Sequence, residues 1–304
     1  LFRSVPKGIC HYCSAGRENC PFEDFGRNPR WKATCFQAGD SPWTRRPIFL
    51  DIPHEPSRPA AWFTFDLWHC LHLGMGKVLC ASAFALMSDR MSASNVVDRF
   101  SELSDLYMQW CDETRTPPFI TSINKELIGW PDRSTFPNGY WSKGHITVTF
   151  IKFILFWLNN NDVSDCRMLT ICRQAMSLLC EALEELYRES LWLDPDTARR
   201  IGEKGMKFME LYGKLVRIAY RNGQALWALM PKSHVVHHIF MECSEARCSM
   251  ISPLAYAVQV SEDFIGKKSR LARRVGPQQV ILRVLERTLV VTRQRWVEAD
   301  FLSG

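Results

Sequence analysis

The chain has 304 residues, about twice the usual length of one domain, so we expect one large domain or two modest ones. Hydrophobic residues make up 46% and charged residues 23%, and the formal net charge is +6, which is typical of an ordinary folded protein. The 12 cysteines are too few for a disulfide scaffold, and no charge-free apolar run reaches the roughly 18 residues of a membrane span.

The first residues of the chain and its cysteines bear on the cellular location of the protein. Leu1 is not an initiator methionine and the opening residues do not form a signal peptide, so we expect a fragment of a longer product. Cys172 and Cys180 stand at apolar positions of a predicted helix. We interpret such cysteines as buried reduced thiols of an intracellular protein.

The first part of the chain changes from irregular to regular at about residue 60. Residues 1–60 are rich in Cys, Pro and Arg and have no sustained hydrophobic period, which predicts an irregular segment that needs an additional link to be ordered. Residues 60–66 are aromatic and predict a short buried strand that ends in Asp66. Residues 70–90 then show a helical pattern.

Two apolar stripes predict helices in the middle of the chain. Asp194–Pro195 predicts the start of another helix and Asn222–Gly223 its end. Residues 145–158 favour a helix but leave a strand open, residues 254–260 suggest a short strand, and an amphipathic helix is expected from Pro277 to about Trp296. The stripes consist of Val96, Phe100, Leu103, Tyr107 and Trp110, and of Leu169, Cys172, Met176, Leu179, Leu183 and Leu186.

Two separate motifs carry residues that bind zinc in proteins. Cys10 and Cys13 form a Cys-x2-Cys pair, the spacing that places two thiolates on one tetrahedral zinc. His234 and His238 are four residues apart, on one face of a helical turn, which suits two imidazoles on one metal. Together they would form a Cys2His2 site. The alternatives are free thiols in a loop and a histidine-rich turn in the core. Cys20 and Cys35 could instead complete a four-Cys site, and Cys20, Cys35 or His237 could replace one of the four ligands.

Two further motifs carry acids that could hold a divalent cation. Asp66 ends the predicted strand, and His69 follows three residues later, where it could contact a scissile phosphate or move a proton. Glu262 lies just ahead of a basic run, so the acid could hold Mg²⁺ while the cations attract a polyanion. The alternatives are a capping Asp with a core His, and a solvated helix start. The basic run is Lys267, Lys268, Arg270, Arg273 and Arg274.

The order of these motifs resembles the core of a DDE/D cut-and-paste DNA transposase. The CACTA and Kyakuja–Dileera–Zisupton-like elements, including transposon-derived proteins of dinoflagellate algae, are the most similar. Residues 8–13 resemble the Cys-x2-Cys element of that family, residues 65–69 its Asp-x2-His around the second catalytic acid, and residues 231–238 its Lys-x-His-x3-His. Glu262 stands where the terminal Glu is expected.

The resemblance implies an α+β, mostly helical fold, in which an incomplete RNase H-like core is interrupted by a large all-helical insertion. The core would comprise residues 1–74 and 226–304, and the insertion residues 75–225. In the family, the first catalytic Asp lies upstream of the Cys-x2-Cys. We expect it to be missing from this chain, because Asp51 is only 15 residues before Asp66, which is too close for the usual spacing.

The implied activity is cleavage and strand transfer of DNA with Mg²⁺ or Mn²⁺ held by Asp66 and Glu262. His69 would lie near the scissile phosphate, and zinc at Cys10, Cys13, His234 and His238 would be structural. The expected partner is double-stranded DNA at transposon ends. A second copy of the chain is a further candidate partner, and no membrane is expected. The expected location is intracellular and nuclear, and the expected activity is incomplete without the first Asp.

Two other functions remain open from the sequence alone. A transposon-derived protein could bind DNA through the basic run and carry its acids as relics, in which case binding weakens with salt and no cleavage occurs. A helical interaction scaffold with a structural zinc site is the other alternative. Residues 261–296 hold nine Lys and Arg against three acids, an excess that equals the whole +6. A solvated basic helix could also explain this charge, but its position next to Glu262 favours the transposase function.

Overall fold

The computed structural model describes residues 8–37, 43, 45–273 and 275–299. These residues are mostly helical and include one small sheet, which confirms the coarse fold class. They divide into two compact units, Leu1–Tyr256 and Ala257–Gly304. The α-helices of the first unit are α1 (Gly76–Ser88), α2 (Val96–Thr114), α3 (Gly144–Asn160), α4 (Arg167–Arg188), α5 (Pro195–Arg221) and α6 (Pro231–Ser244).

The remaining elements are short. A π-helix, Trp68–Met75, leads into α1, and 3-10 helices form at Arg30–Thr34, Ile48–Asp51, Pro59–Trp62, Pro253–Tyr256 and Pro277–Gln279. The sheet of the described chain pairs β1 (Trp192–Leu193) with β2 (Met250–Ile251) in antiparallel register. The second unit contains α7 (Gln259–Ala272) and α8 (Val280–Glu298).

The helices of the first unit follow the apolar stripes in the sequence. All six stripe residues of α4 are buried, as are four of the five in α2, because a period of 3.6 residues places them on one face. Helix α5 packs between α4 and α6, while α1 packs against α3 and the π-helix. The start of α5 is fixed by Asp194, whose carboxylate accepts the backbone N–H groups of Asp196 and Thr197 at 3.0 Å.

Two expected strands are not strands in the structure. Residues 59–62 form a 3-10 turn that starts at Pro59, and residues 63–66 are irregular, because the carbonyl of Phe63 bonds His11 Nε2 at 2.6 Å instead of a neighbouring strand. Residues 253–256 form a second 3-10 turn that starts at Pro253, and α7 begins three residues later. Residues 145–158, for which a strand was left open, lie within α3.

One described segment, Trp68–Ser88, is long and apolar enough to cross a membrane by composition. In the structure, however, 83% of its apolar window is buried inside the protein. The π-helix and α1 therefore form the central helical segment of the first unit, which explains their hydropathy without a membrane.

The second unit is a helical hairpin. The turn Pro277–Gln279 joins α7 to α8, and Arg287 on α8 donates to the carbonyl oxygen of Leu271 on α7 at 2.6 Å. Lys268 Nζ donates to Thr288 Oγ1 at 3.0 Å. No described residue of α8 is buried, although the helix is amphipathic as expected.

Candidate metal centre

The Cys-x2-Cys pair lies in a tight loop at the start of the described chain. Gly8 has a φ of +84°, and a Cβ there would lie 2.5 Å from the carbonyl oxygen of Ala15, so the loop requires glycine at this position. The N–H of Ile9 bonds the same carbonyl at 2.9 Å, and the N–H of Tyr12 points at Cys10 Sγ at 3.3 Å. The loop therefore holds both sulfur atoms of Cys10 and Cys13 in fixed positions.

The two histidines come from one face of α6, because residues four apart on a helix are neighbours. Both side chains are buried, and their ring centroids lie 4.6 Å apart. Pro231 at the first position of α6 sets the start of the helix, so His234 and His238 occupy its first two turns.

The four side chains meet in one buried cluster that could hold a metal ion. The four ligand atoms lie within 4.8 Å of one another. Cys13 Sγ is 3.3 Å from His234 Nε2 and 3.4 Å from His238 Nε2, and Cys10 Sγ is 3.6 Å from His238 Nε2. Zinc bonds of about 2.3 Å to sulfur and 2.0–2.1 Å to nitrogen give a sulfur–nitrogen edge of about 3.5 Å in a tetrahedron. The observed spacings therefore match the tetrahedral geometry of Zn²⁺.

The pKa shifts of Cys10 and His238 favour cation binding, whereas that of Cys13 means that a bound cation has to displace its proton. Hydrogen bonding from Cys13 holds the pKa of Cys10 well below its usual range, with further bonds from His234 and His238 acting in the same direction. Its hydrogen bond to Cys10 raises the pKa of Cys13. Burial lowers the pKa of His238, so its imidazole is neutral. A thiolate and a neutral imidazole are the forms that coordinate a metal.

Aromatic side chains enclose the cluster. Trp31 is fully buried and lies 4.6 Å from His234 and 4.4 Å from His238, measured between ring centroids. Tyr12 and Phe65 cover the other side of His238 at 5.7 and 5.5 Å. Because the Nδ1 of His234 has no hydrogen-bond partner in the described residues, packing against Trp31 fixes the orientation of this ring.

Three alternative ligands suggested by the sequence are not part of this cluster. Cys20 pairs with Arg17 in an isolated β-bridge. Cys35 Sγ donates to the carbonyl oxygen of Trp31 at 3.8 Å and lies next to the cluster, where its side chain hydrogen-bonds Cys13. His237 faces Phe25 and Trp31 at ring distances of 5.7 and 5.1 Å. In a helix the residue next to His238 lies on a different face, which explains why only two of the three histidines meet the cysteines.

Asp66 and His69 lie together at the start of the π-helix. Asp66 Oδ1 accepts the N–H of Trp68 at 2.9 Å, its Oδ2 accepts from His69 Nδ1 at 2.6 Å, and its carbonyl oxygen accepts the N–H of Cys70. Asp66 therefore caps the helix, which agrees with the alternative interpretation of this motif as a capping Asp. The side chains of Asp66 and His69 remain 22% and 39% exposed, so the pair lies at the protein surface.

The remaining predicted site residues belong to the second unit. Glu262 lies in the first turn of α7, where acids interact favourably with the helix dipole, and its N–H bonds the carbonyl of Val258. Lys267 forms an ion pair with Asp263, and Lys268 lies 4.5 Å above the Phe264 ring. Arg270 lies in the last turn of α7, Arg273 caps its end, and Arg274 lies outside the described residues.

Two features of this region were not singled out from the sequence. The first is the packing of Trp31 and Phe65 around the metal centre. The signal that could have revealed it is the high number of aromatic residues in the irregular segment, which indicates that this segment is buried. The π-helix was predicted as an ordinary helix, because its hydrophobic pattern differs too little from that of an α-helix.

Comparisons of the chain with protein-family models, curated protein sequences and solved structures give no match.

Proposed function

We propose that this chain is the zinc-stabilised helical part of a transposase-like protein that cleaves and joins DNA. The metal centre carries the proposal, because it links residues 8–37 to α6 and contacts the segment that leads into Asp66. Its four protein ligands leave no open coordination position, which favours a structural zinc over a catalytic one.

The link from the zinc to Asp66 is short. Phe65 precedes Asp66 and packs on Tyr12 at 4.3 Å and on His238 at 5.5 Å, while His11 bonds the carbonyl of Phe63. The zinc therefore supports the position of Asp66 and His69 through the Cys10–Cys13 loop. In the proposed reaction His69 contacts the scissile phosphate, and its bond to Asp66 fixes the tautomer of the ring.

The second unit supplies the remaining parts of the proposal. In the proposed reaction Asp66 and Glu262 would each supply a carboxylate to Mg²⁺ or Mn²⁺, which would stabilise the charge that develops on the phosphate. The cations of α7 contact DNA phosphates, since most of the positive charge of residues 261–296 is not matched by acids in the same segment. The same proposal includes a nuclear location, self-association on transposon ends and an RNase H-like core. The sheet of such a core would have to be formed by chain beyond the described residues.

Cleavage of supercoiled plasmid DNA with Mg²⁺ tests this function. The test uses the complete natural protein. We expect nicking by the parent protein and its loss in Asp66→Asn and Glu262→Gln, with zinc content unchanged in both. Asp51→Asn is the control, because Asp51 is exposed and pairs with Arg46. Cleavage that persists in Asp66→Asn would refute the assignment.

A specific observation favours a second candidate, a DNA-binding protein without catalysis. Both carboxylate oxygens of Asp66 accept hydrogen bonds within its own turn, which is enough to explain the residue as a cap. This candidate predicts DNA binding that weakens with salt and depends on Lys267 and Lys268, without cleavage in Mg²⁺. The plasmid assay and a binding assay on the same preparation separate the two candidates.

A further inference from the structure

The π-helix next to Asp66 is a local irregularity in the centre of the first unit. It extends over Trp68–Met75, and at Gly74 the backbone leaves helical geometry, with φ −123° and ψ −106°. Thr147 on α3 donates to the carbonyl oxygen of His72 at 2.7 Å, which satisfies one acceptor of the wide turn. Because π-turns are rare and frequently occur at functional sites, this segment invites a search for a ligand.

Lys232 crosses this turn at Gly74. A Cβ at position 74 would lie 2.7 Å from Lys232 Cδ and 2.9 Å from the carbonyl oxygen of His69. Glycine is therefore needed for the aliphatic part of Lys232 to pass over the π-helix on the side of His69. Lys232 is the second residue of α6, and its side chain is half-buried.

A second lysine lies at the same turn. Lys77 follows Gly74 by three residues, and its Nζ lies 5.7 Å from the centre of the Trp141 ring. Burial lowers the pKa of Lys77, and the positive charge of Lys232 lowers it further. Because Lys77 lies one helical turn after Gly74, the residue that Lys232 crosses, the two lysines flank the same turn of the chain.

Neither Lys77 nor Lys232 forms an ion pair with a carboxylate within the part of the chain that the structure describes. The N-terminus of α6 adds the positive end of a helix dipole at Lys232, where a cation is unfavourable. Two half-buried cations and a helix N-terminus in one place form a site that an anion would stabilise.

The position of Asp66 indicates which anion would fit. Burial raises the pKa of Cys70 to about 11, while the charge of Lys232 lowers this pKa and that of Asp66 raises it. The contact at Gly74 also places the Lys232 side chain beside the carbonyl oxygen of His69, which follows Asp66 by three residues. A phosphate held by the lysines would lie beside the Asp66–His69 pair.

We propose that Lys77 and Lys232 form a phosphate-binding site at the π-turn, which takes a phosphodiester group of DNA beside Asp66 and His69. The ligand source rests on the proposed function, whereas the anion site rests on the geometry of the two lysines. The pair would position the DNA strand relative to the acids.

Two measurements test the site independently of catalysis. In the first, the lysines of the full chain are ¹³C-methylated, which retains their charge, and their NMR signals are followed during titration with inorganic pyrophosphate. We expect the Lys77 and Lys232 signals to shift and that of exposed Lys214 on α5 to stay. Lys77→Gln and Lys232→Gln assign the signals. Zinc content checks the folding of Lys232→Gln, since Lys232 lies two residues before His234.

In the second measurement, the affinity for a short DNA duplex is recorded against salt. Each lost phosphate contact reduces the slope of log K against log[salt] by about 0.9, so the double variant should lose about 1.8 and Lys214→Gln nothing. Pyrophosphate shifts with an unchanged slope would assign the site to free phosphate and overturn the DNA ligand. An unchanged slope without pyrophosphate shifts would overturn the site, even if plasmid cleavage still required Asp66.

Discussion

Cys13 Sγ lies 3.3 Å from His234 Nε2, although 221 residues separate the two in the chain. The contact joins an irregular segment, which has little regular structure of its own, to a well-packed helix. Metal-binding free energy is folding free energy where the site is absent from the unfolded chain. We therefore expect the order of residues 8–37 to depend on a metal bound at this cluster.

Removal of the metal should release this segment first. In the presence of a strong chelator we expect trypsin to cut faster after Arg27 and Arg30, because residues 8–37 lose their link to α6. Cleavage after Arg115, at the end of α2, is the internal reference and should keep its rate. Mass spectrometry of the timed digests measures both. Equal rates with and without chelator at Arg27 and Arg30 would contradict the dependence on metal.

Trp31 should be the most sensitive apolar residue of the metal centre. Trp31→Ala removes a fully buried ring that contacts His234, His237 and His238, so we expect a loss of about 3–5 kcal/mol in the free energy of unfolding. Trp62→Ala is the control, because Trp62 is 42% exposed, and a smaller loss is expected there. Urea unfolding of the three zinc-loaded proteins gives the values, and similar losses for both variants would refute the packing role.

Two glycines of α5 should respond in opposite directions to alanine. A Cβ at Gly202 would lie 2.1 Å from the backbone nitrogen of Ser244, so Gly202→Ala should separate α5 from α6 and destabilise the protein by about 1–3 kcal/mol. A Cβ at Gly213 would meet Phe25 at an ordinary 3.4 Å. Gly213→Ala should therefore stabilise the helix by up to about 1 kcal/mol. Thermal unfolding of the pair checks the order, and a stable Gly202→Ala would contradict the close helix contact.

His72 should make stability fall in mild acid. Its ring is 1% exposed, Tyr187 Oη lies 3.0 Å from its Nε2, and burial lowers its pKa to about 4. Between about pH 6.5 and 4 the unfolded chain binds a proton at His72 that the folded chain does not bind. The contribution of the neutral His72 ring to the free energy of unfolding is therefore fully present above about pH 6.5 and is lost towards about pH 4. The loss can reach about 1.4 kcal/mol per pH unit.

Urea unfolding at several pH values compares the parent protein with His72→Gln. The zinc ligands also take up protons in acid, but they are common to both proteins, so the difference in slope isolates His72. We expect a shallower dependence on pH in the variant. Identical slopes would show that His72 is not held neutral by burial.

The sequence predicts well those features that depend on local spacing. The stripes of α2 and α4 and the caps of α5 follow helical periodicity and capping chemistry, so their positions needed no tertiary information. The metal cluster was also predicted, because the Cys-x2-Cys spacing and the i, i+4 histidines each constrain the geometry of a half-site.

Features that depend on distant partners were not predicted. Residues 60–66 have the composition of a strand, but Phe63 bonds His11 and no neighbouring strand is present in the described chain. The π-turn depends on Lys232 and Thr147, which lie far from Gly74 in the sequence. The i, i+4 spacing favoured His234 and His238, but it left a replacement by His237 open until the position of the cysteine loop relative to α6 was known.

The zinc content of the purified protein tests the central claim most directly. Elemental analysis should find about one zinc ion per chain in the parent protein and in Cys248→Ser, since Cys248 is exposed and lies outside the cluster. Cys13→Ser should contain no zinc, because Cys13 contacts both His234 and His238. A folded parent protein without metal, or equal zinc in Cys13→Ser and Cys248→Ser, would contradict the account.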